Sequence, residues 1–389
     1  MPRNMQGTIA RELERLEAEG CLRSIPDIDR GSDLYLDFQG KTLLNLASNN
    51  YLGLAGSNAL SRAAVQAVEN FGTSSGASRL IAGNYDLLTE LEHTLSRFKK
   101  TSASLIMNSG YAANLGLISS LADRKSLVFS DRLNHASIID GIQLSRATHV
   151  RYRHGDPEHL SHQLQKYPEQ CRKILITDTV FSMDGDKAPL VEIVDLCKEH
   201  QVLIIVDEAH AAGILGQGRG LAAELGLEQE IDVHMGTFSK ALGSFGGYIA
   251  GSQELIRLVQ NKARSFIFST ALPPAVIGAN LEALHQVQIR PDKGAHLLNM
   301  AQDLRKHLHS LGWDTLSSTT QIVPVIVGSN QNALDTQKKL MDRGIYAAAV
   351  RPPTVPRNLA RIRLSLRADM QESDMALLKQ AWENPGEPC

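Results

Sequence analysis

Five short apolar segments, Ala103 to Met107, Leu127 to Ser130, Lys173 to Thr179, Val202 to Val206 and Tyr248 to Ala250, punctuate the chain. The stretches between them carry helical spacing, at Ala112 to Leu121, Ser137 to Leu144, Glu158 to Lys166 and Leu190 to His200. Runs this short, bounded by polar residues or glycine, read as strands, and their nearly unbroken apolar character places them inside a sheet covered on both faces. Strands that alternate with helices form crossovers, so the expected class is α/β with a mainly parallel sheet. Ligands of such a sheet collect at the carboxyl ends of its strands.

The flanks read differently. Met1 to Arg23 mixes charges with Ile9, Leu13, Leu16 and Leu22 at helical spacing, which predicts an amphipathic arm. A turn-rich extended stretch over 34–54 and a helix around Ser61 to Asn70 follow it. From Pro291 the pattern becomes a long helix through Leu311, a strand at Ile322 to Val327, a helix near 331–343, strands at Ile345 to Val350 and Ile362 to Leu366, and a last helix. The expected organisation is an N-terminal arm at 1–45, a large domain at 46–285 and a smaller α+β domain at 286–389.

Composition removes several function classes. Forty Lys and Arg against 42 Asp and Glu give a net charge of −2, which argues against a strongly basic nucleic-acid binder. The longest purely aliphatic stretch is Val202 to Val206, far short of the roughly 20 residues of a membrane span. Four cysteines, Cys21, Cys171, Cys197 and Cys389, form no C-x-x-C pair in a chain of 389 residues, so a reduced, cytoplasmic setting is expected. No metal requirement is visible: there is no H-E-x-x-H, and His159-x-x-His162 falls on an expected exposed helix.

The chemistry concentrates in a few segments. Val202 to Val206 delivers Asp207 to a strand end, with His210 three residues on. Asp207-Glu-Ala-His210 is also the Mg²⁺-binding box of nucleic-acid-stimulated ATPases. Such an enzyme needs a P-loop, and the one Gly-Lys-Thr, Gly40 to Thr42, has Tyr35 where the first glycine belongs. Lys240 sits among small and hydroxyl residues, Gly236-Thr237-Phe-Ser239-Lys240, a setting in which an ammonium loses its proton and becomes a nucleophile that forms Schiff bases. Asn108-Ser-Gly110-Tyr111 makes a strand-to-helix turn whose N–H groups can meet an anion. His135 stands at a similar turn, able to stack on a flat ring or to cap a helix, and Ser182 offers a hydroxyl in Val180 to Asp186. Gly216-Gln-Gly218-Arg-Gly220 imitates a dinucleotide fingerprint but follows no strand, and reads as a flexible loop. An anion turn, a stacking histidine, a strand-end acid and an isolated lysine are together the parts that pyridoxal phosphate (PLP) demands.

With these segments in view, the chain resembles the α-oxoamine synthases, fold-type I PLP enzymes that condense an amino acid with an acyl thioester and lose CO₂. The matching segments are Asn49 to Leu54, Asn108 to Asn114, Asn134 to Ile138, Val180 to Asp186, Asp207 to His210 and Thr237 to Gly243. Val350-Arg-Pro-Pro-Thr-Val-Pro356 with Arg361-Ile-Arg363-Leu is similar to the branch that joins L-alanine to a pimeloyl thioester, carried by coenzyme A or acyl carrier protein, on the way to biotin. Sister enzymes using glycine or serine, and PLP aminotransferases, fit these segments less well.

The resemblance implies a role for each matched position. Lys240 binds the cofactor aldehyde and shuttles the substrate Cα proton, Asp207 pairs with the pyridine nitrogen, His210 touches the ring oxygen, and His135 stacks on the ring and meets substrate. Gly110, Tyr111, Ser182 and Thr237 line the cofactor, while Ser269 and Thr270 reach the phosphate of a neighbouring subunit, which implies a homodimer. Arg23, Thr354 and Arg363 contact substrate, Arg363 through the carboxylate. Two positions depart from the family pattern, Ala77 and Asn358, each where glycine is frequent. Asn tolerates positive φ, so the loop before Arg361 is expected to survive.

Overall fold

The computed structural model describes residues 3–31 and 33–383, which form two compact units. One holds the described residues of Met1–Ser48, Met183–Gly185 and Leu298–Cys389, and the other Asn49–Ser182 and Asp186–Leu297.

In chain order the elements begin with helix α1 (Arg3–Ala18) and strands β1 (Tyr35–Phe38) and β2 (Lys41–Asn45). Then come α2 (Asn58–Phe71), α3 (Asp86–Lys99), β3 (Ala103–Met107), α4 (Gly110–Leu121), β4 (Ser126–Asp131), α5 (Ala136–Ser145), β5 (Thr148–Tyr152) and α6 (Pro157–Leu164). They are followed by β6 (Arg172–Asp178), α7 (Leu190–Glu199), β7 (Leu203–Asp207), α8 (Leu221–Glu224), β8 (Val233–Thr237), β9 (Gly247–Gly251), α9 (Gln253–Lys262), α10 (Arg264–Ile267) and α11 (Pro274–Ile289). The last are α12 (Asp292–Ser310), β10 (Ile322–Gly328), α13 (Asn330–Asp342), β11 (Ile345–Tyr346), β12 (Ala348–Val350), β13 (Ala360–Ser365) and α14 (Glu372–Glu383).

The unit built around 49–297 is a seven-stranded sheet in the order β3-β9-β8-β7-β6-β4-β5. Strands β5, β4, β6, β7 and β8 pair parallel, and β9 runs antiparallel between β8 and β3. The mainly parallel α/β architecture is therefore the one expected. Two strands were hidden in the sequence. Thr148-His-Val-Arg-Tyr152 is the half-exposed edge strand, and Val233-His-Met-Gly-Thr237 is buried throughout despite a polar look. One sheet face packs Leu105, Val128, Ile174, Ile176, Ile205 and Ile249 against Leu117 and Ile118 of α4, Ile138 and Ile142 of α5 and Val259 of α9. Helix starts obey local chemistry: the side chains of Ser109, Asp156 and Ser252 accept backbone N–H groups at the heads of α4, α6 and α9.

Because β3, β4, β6, β7 and β8 point the same way, their carboxyl ends share one sheet edge. That edge receives Ser109-Gly110 after β3, the turn to His135 after β4, Asp178 ending β6, Asp207 ending β7 and Thr237 ending β8. The Gly216 to Gly220 run is a packed turn rather than a flexible loop. A Cβ on Gly218 would stand 2.3 Å from the Val287 side chain, and one on Gly220 2.1 Å from the Glu208 carboxylate.

In the other unit β10-β13-β12 form an antiparallel sheet, and β1-β2-β11 form a second. Arg363 on β13 lies opposite Pro324 of β10 and Ala348 of β12. Asn358 adopts φ 62°, a left-handed conformation that asparagine tolerates, as expected for the loop before Arg361.

Candidate active site

Asp207 is 3% exposed. Its Oδ1 accepts the N–H of Ala209 at 2.9 Å and its Oδ2 the amide Nδ2–H of Asn114 at 2.8 Å. Both of these donors are uncharged, and a buried carboxylate so held is suited to a cationic nitrogen. Glu208, the next residue, is anchored differently, by Lys99 at 2.5 Å and His234 at 3.3 Å, with Ala222 N–H donating to its other oxygen. Burial works to raise the Glu208 pKa, but Lys99 and the His234 hydrogen bond outweigh it and hold it down to about 2. The turn that aims Asp207 is thus pinned from behind by a buried ion cluster.

His135 caps α5, its Nδ1 accepting the N–H of Ser137 at 3.3 Å and lying 2.8 Å from the Ser137 hydroxyl. Its own N–H donates to Asp178 Oδ2 at 2.7 Å. Burial lowers the imidazole pKa, with Asp207 pulling the other way and Lys240 adding to the lowering. Asp178 lies beside Asp207 across the β6–β7 pair, and burial followed by that negative neighbour raises its pKa well above the ordinary range. His210 is 5% exposed, with Nδ1 2.8 Å from the hydroxyl of the fully buried Tyr51.

Gly110 opens α4, where a Cβ would come within 3.1 Å of Met235 Cε and 3.6 Å of Thr237 Cβ. The Thr237 hydroxyl donates to Gly246 O at 2.7 Å and accepts the Ser239 N–H at 3.1 Å, bracing the loop that carries the half-buried Lys240. Tyr111 is exposed, donates its hydroxyl to Asp140 and meets the His135 ring edge-on at 6.5 Å. Ser182 is half-buried. Ser269 bonds to Ser265 O at 2.7 Å, and the exposed Thr270 accepts at its carbonyl from Asn108 at 2.9 Å, directly before Ser109-Gly110.

Three predicted site residues belong to the other unit. Arg23 donates to the Thr354 hydroxyl at 3.1 Å, joining two positions far apart in sequence. Arg23 also lines a cavity of about 590 Å³ in which Phe38, Met341 and Tyr346 stand beside Arg351, Glu17 and Gln337. Arg363 is 5% exposed and donates to Ser365 Oγ at 2.8 Å. Its neighbour Arg361 is committed to Asp184 at 2.6 Å and to Met183 O at 3.2 Å.

Sequence reasoning missed the residues that stand behind these groups: Tyr51, Asn114, Ser137, Asp178 and Lys99. Asp178 ended an apolar strand just as Asp207 does, which was a readable signal. Lys99 gave none, since its partner lies 109 positions away.

The fold agrees with three comparisons. A model of the aminotransferase class I and II family matches residues 41–381. An 8-amino-7-oxononanoate synthase from Geobacter metallireducens is 49% identical over 378 residues, 96% of each chain. Among solved structures, serine palmitoyltransferase from Sphingomonas wittichii superposes with TM-score 0.93 at 30% identity, covering 99% of this chain and 97% of its own. The S. paucimobilis serine palmitoyltransferase with bound PLP and myriocin gives TM-score 0.92 at 31% identity, covering 98% and 97%. No helix among the described residues is long and apolar enough to cross a membrane. With Asp207 at a strand end, Lys240 on a braced loop and His135 at a helix head gathered on one sheet edge, the chain belongs to the α-oxoamine synthases, within the PLP-dependent class I and II aminotransferase family.

Proposed function

We propose that this chain joins L-alanine to a pimeloyl thioester with loss of CO₂, producing 8-amino-7-oxononanoate. The observation that carries the reading is the likeness to a synthase of that name along nearly the whole of both chains, combined with the strand-end constellation.

The residues fit PLP. Asp207, buried against uncharged donors, suits the protonated ring nitrogen, and the α4 N-terminus at Gly110 with the Thr237 hydroxyl suits the phosphate region. When bound, PLP supplies an electron sink for negative charge at the substrate Cα. Lys240 would hold the cofactor by its aldehyde, and its amine would serve to carry the proton at the substrate Cα. His135, its pKa lowered by burial, would lie against the ring, and His210, held by Tyr51, would meet the ring oxygen. Tyr111 and Ser182 would line the cofactor. Arg363 receives the alanine carboxylate, a task for a planar two-pronged donor. Arg361 is spent on Asp184, which supports Arg363 in that role. Arg23 and Thr354 meet the acyl substrate beside a cavity where Phe38, Met341 and Tyr346 give apolar surface and Arg23 and Arg351 positive charge.

The reading includes a homodimer in which Ser269 and Thr270 serve the partner's phosphate. Ile81 and Phe268, 82% and 71% exposed, support a face that a second copy covers. It also includes a cytoplasmic setting, supported by Cys21, Cys171 and Cys197 being free thiols.

The test is incubation of PLP-loaded protein with L-alanine and pimeloyl-coenzyme A or pimeloyl-acyl carrier protein, with products identified by mass. Formation of 8-amino-7-oxononanoate is expected from at least one donor. A condensed product from L-serine and a long-chain thioester alone would move the chain to the sister branch.

A further inference from the structure

Asn114 is fully buried, and its side-chain Oδ1 has no hydrogen-bond partner. A bare buried carbonyl is unfavourable, and an apolar residue of similar shape would avoid it. Both of its N–H donors, by contrast, are used: one goes to Asp207 Oδ2 at 2.8 Å and the other to Ser137 Oγ at 2.9 Å. The amide is therefore kept for its donors, and both lead to groups of the site.

The direction of the chain of bonds follows from what each atom can do. The backbone N–H of Ser137 can only donate, so His135 Nδ1, 3.3 Å away, must accept. An Nδ1 that accepts carries no proton, so at the 2.8 Å contact it is the Ser137 hydroxyl that donates, while its oxygen receives the Asn114 N–H. With two donors aimed at Nδ1, the single proton of an uncharged imidazole belongs on Nε2. The ionisable groups acting on this ring are Asp207, Lys240 and Asp140, with Asp178 on its backbone N–H and Tyr111 at its edge.

Resting on the PLP reading above, we propose that Asn114 and Ser137 are positioning residues that lock His135 into the tautomer protonated on Nε2 and tie it to the Asp207 carboxylate. The acid at the ring nitrogen and the imidazole over the ring face then form one hydrogen-bonded unit. His135 in this form donates from Nε2 and holds no lone pair there, so it binds an anionic substrate oxygen and does not act as a base.

Nitrogen NMR of PLP-loaded, ¹⁵N-histidine-labelled protein reads the tautomer, with His135 assigned by its loss in His135→Gln. Wild type is expected to show the Nε2–H form around pH 7, near the range where histidine ordinarily titrates. Ser137→Ala removes one of the two donors and should shift the tautomer ratio toward Nδ1–H by roughly fivefold, the equivalent of one neutral hydrogen bond. Ser137→Thr should restore it. Asn114→Leu should shift the ratio in the same direction and also move the absorption maximum of bound PLP, because Asp207 loses a partner. If Asn114→Leu does not fold, the Ser137 pair decides. An Nδ1–H form in wild type, or an unchanged ratio in Ser137→Ala, would overturn the proposal. The readout needs no turnover: a tautomer shift in a protein that makes no product from alanine rejects the synthase reading and leaves the relay standing.

Discussion

Asp207 and Glu208 are consecutive, with 3% and 0% exposure, yet Glu208 is paired with Lys99 while Asp207 is held by an amide and a backbone N–H. A buried carboxylate held by uncharged donors gains from any positive charge that a ligand brings to it. Asp207→Asn is expected to weaken PLP binding by about tenfold to a hundredfold, the worth of a charge-assisted hydrogen bond, measured by absorbance titration of the cofactor-free protein. Unchanged affinity would leave Asp207 with a structural role. Lys240 is the expected point of attachment, so borohydride treatment of the PLP-loaded protein should fix the cofactor to the peptide containing Lys240. Lys240→Ala should lose turnover, and labelling at another lysine would displace the assignment. Arg363→Lys should lose alanine affinity nearly as fully as Arg363→Ala, because an ammonium cannot reproduce the guanidinium fork. Equal alanine binding in wild type and both variants would remove Arg363 from the site.

The strand ends are pinned by buried charges that join one element to another. Lys99 at the end of α3 meets Glu208 after β7, and His234 of β8 closes the cluster. Lys99→Met would leave Glu208 buried with its main counter-charge gone, so a loss of about 3–5 kcal/mol in urea unfolding is expected, as for other broken buried pairs. A second junction is His154, whose Nδ1 and Nε2 lie 3.0 and 2.9 Å from Asp131 at the end of β4 and Asp186 after β6. Burial opposes its charge, but the two carboxylates prevail and raise its pKa to about 10. The signs differ at the two ends of the pH scale. Glu208, lowered from 4.5 to about 2, contributes stability that is complete above pH 4.5 and lost as the pH falls toward 2. His154, raised from 6.5 to about 10, contributes stability that is complete below pH 6.5 and lost as the pH rises through 10. Melting temperature against pH should therefore fall on both sides, and His154→Gln should lower the neutral value while flattening the alkaline fall. An alkaline limb as steep in His154→Gln as in wild type would show that another group sets it.

For the assembled molecule, the expected homodimer gives a complementation test. Inactive Lys240→Ala mixed with an inactive Thr270 variant should regain activity through heterodimers that contain one intact site, and full activity in a demonstrated monomer would reject shared sites. The α/β class and the loci of Asp207, His135 and His210 were legible because apolar runs mark buried strands, and in a parallel sheet the residues after such a run emerge at the ligand edge, whereas Lys240 stood out by its small and hydroxyl neighbours. Strand β8 was not legible, since its His234 and Thr237 find their partners only after folding, in Glu208 and the Gly246 carbonyl. The Gly216 to Gly220 turn misled for a related reason: its glycines are required by the side chains of Val287 and Glu208, which come from elsewhere in the chain. By itself, the sequence determined the alternation of elements, the residues that can do chemistry and the family whose spacing they share. Those properties are local, set by side-chain type and period. Tertiary structure alone decided that Asn114 and Ser137 join His135 to Asp207, that Lys99 neutralises Glu208 and that Arg361 is spent on Asp184, because each depends on desolvated groups brought together from distant positions.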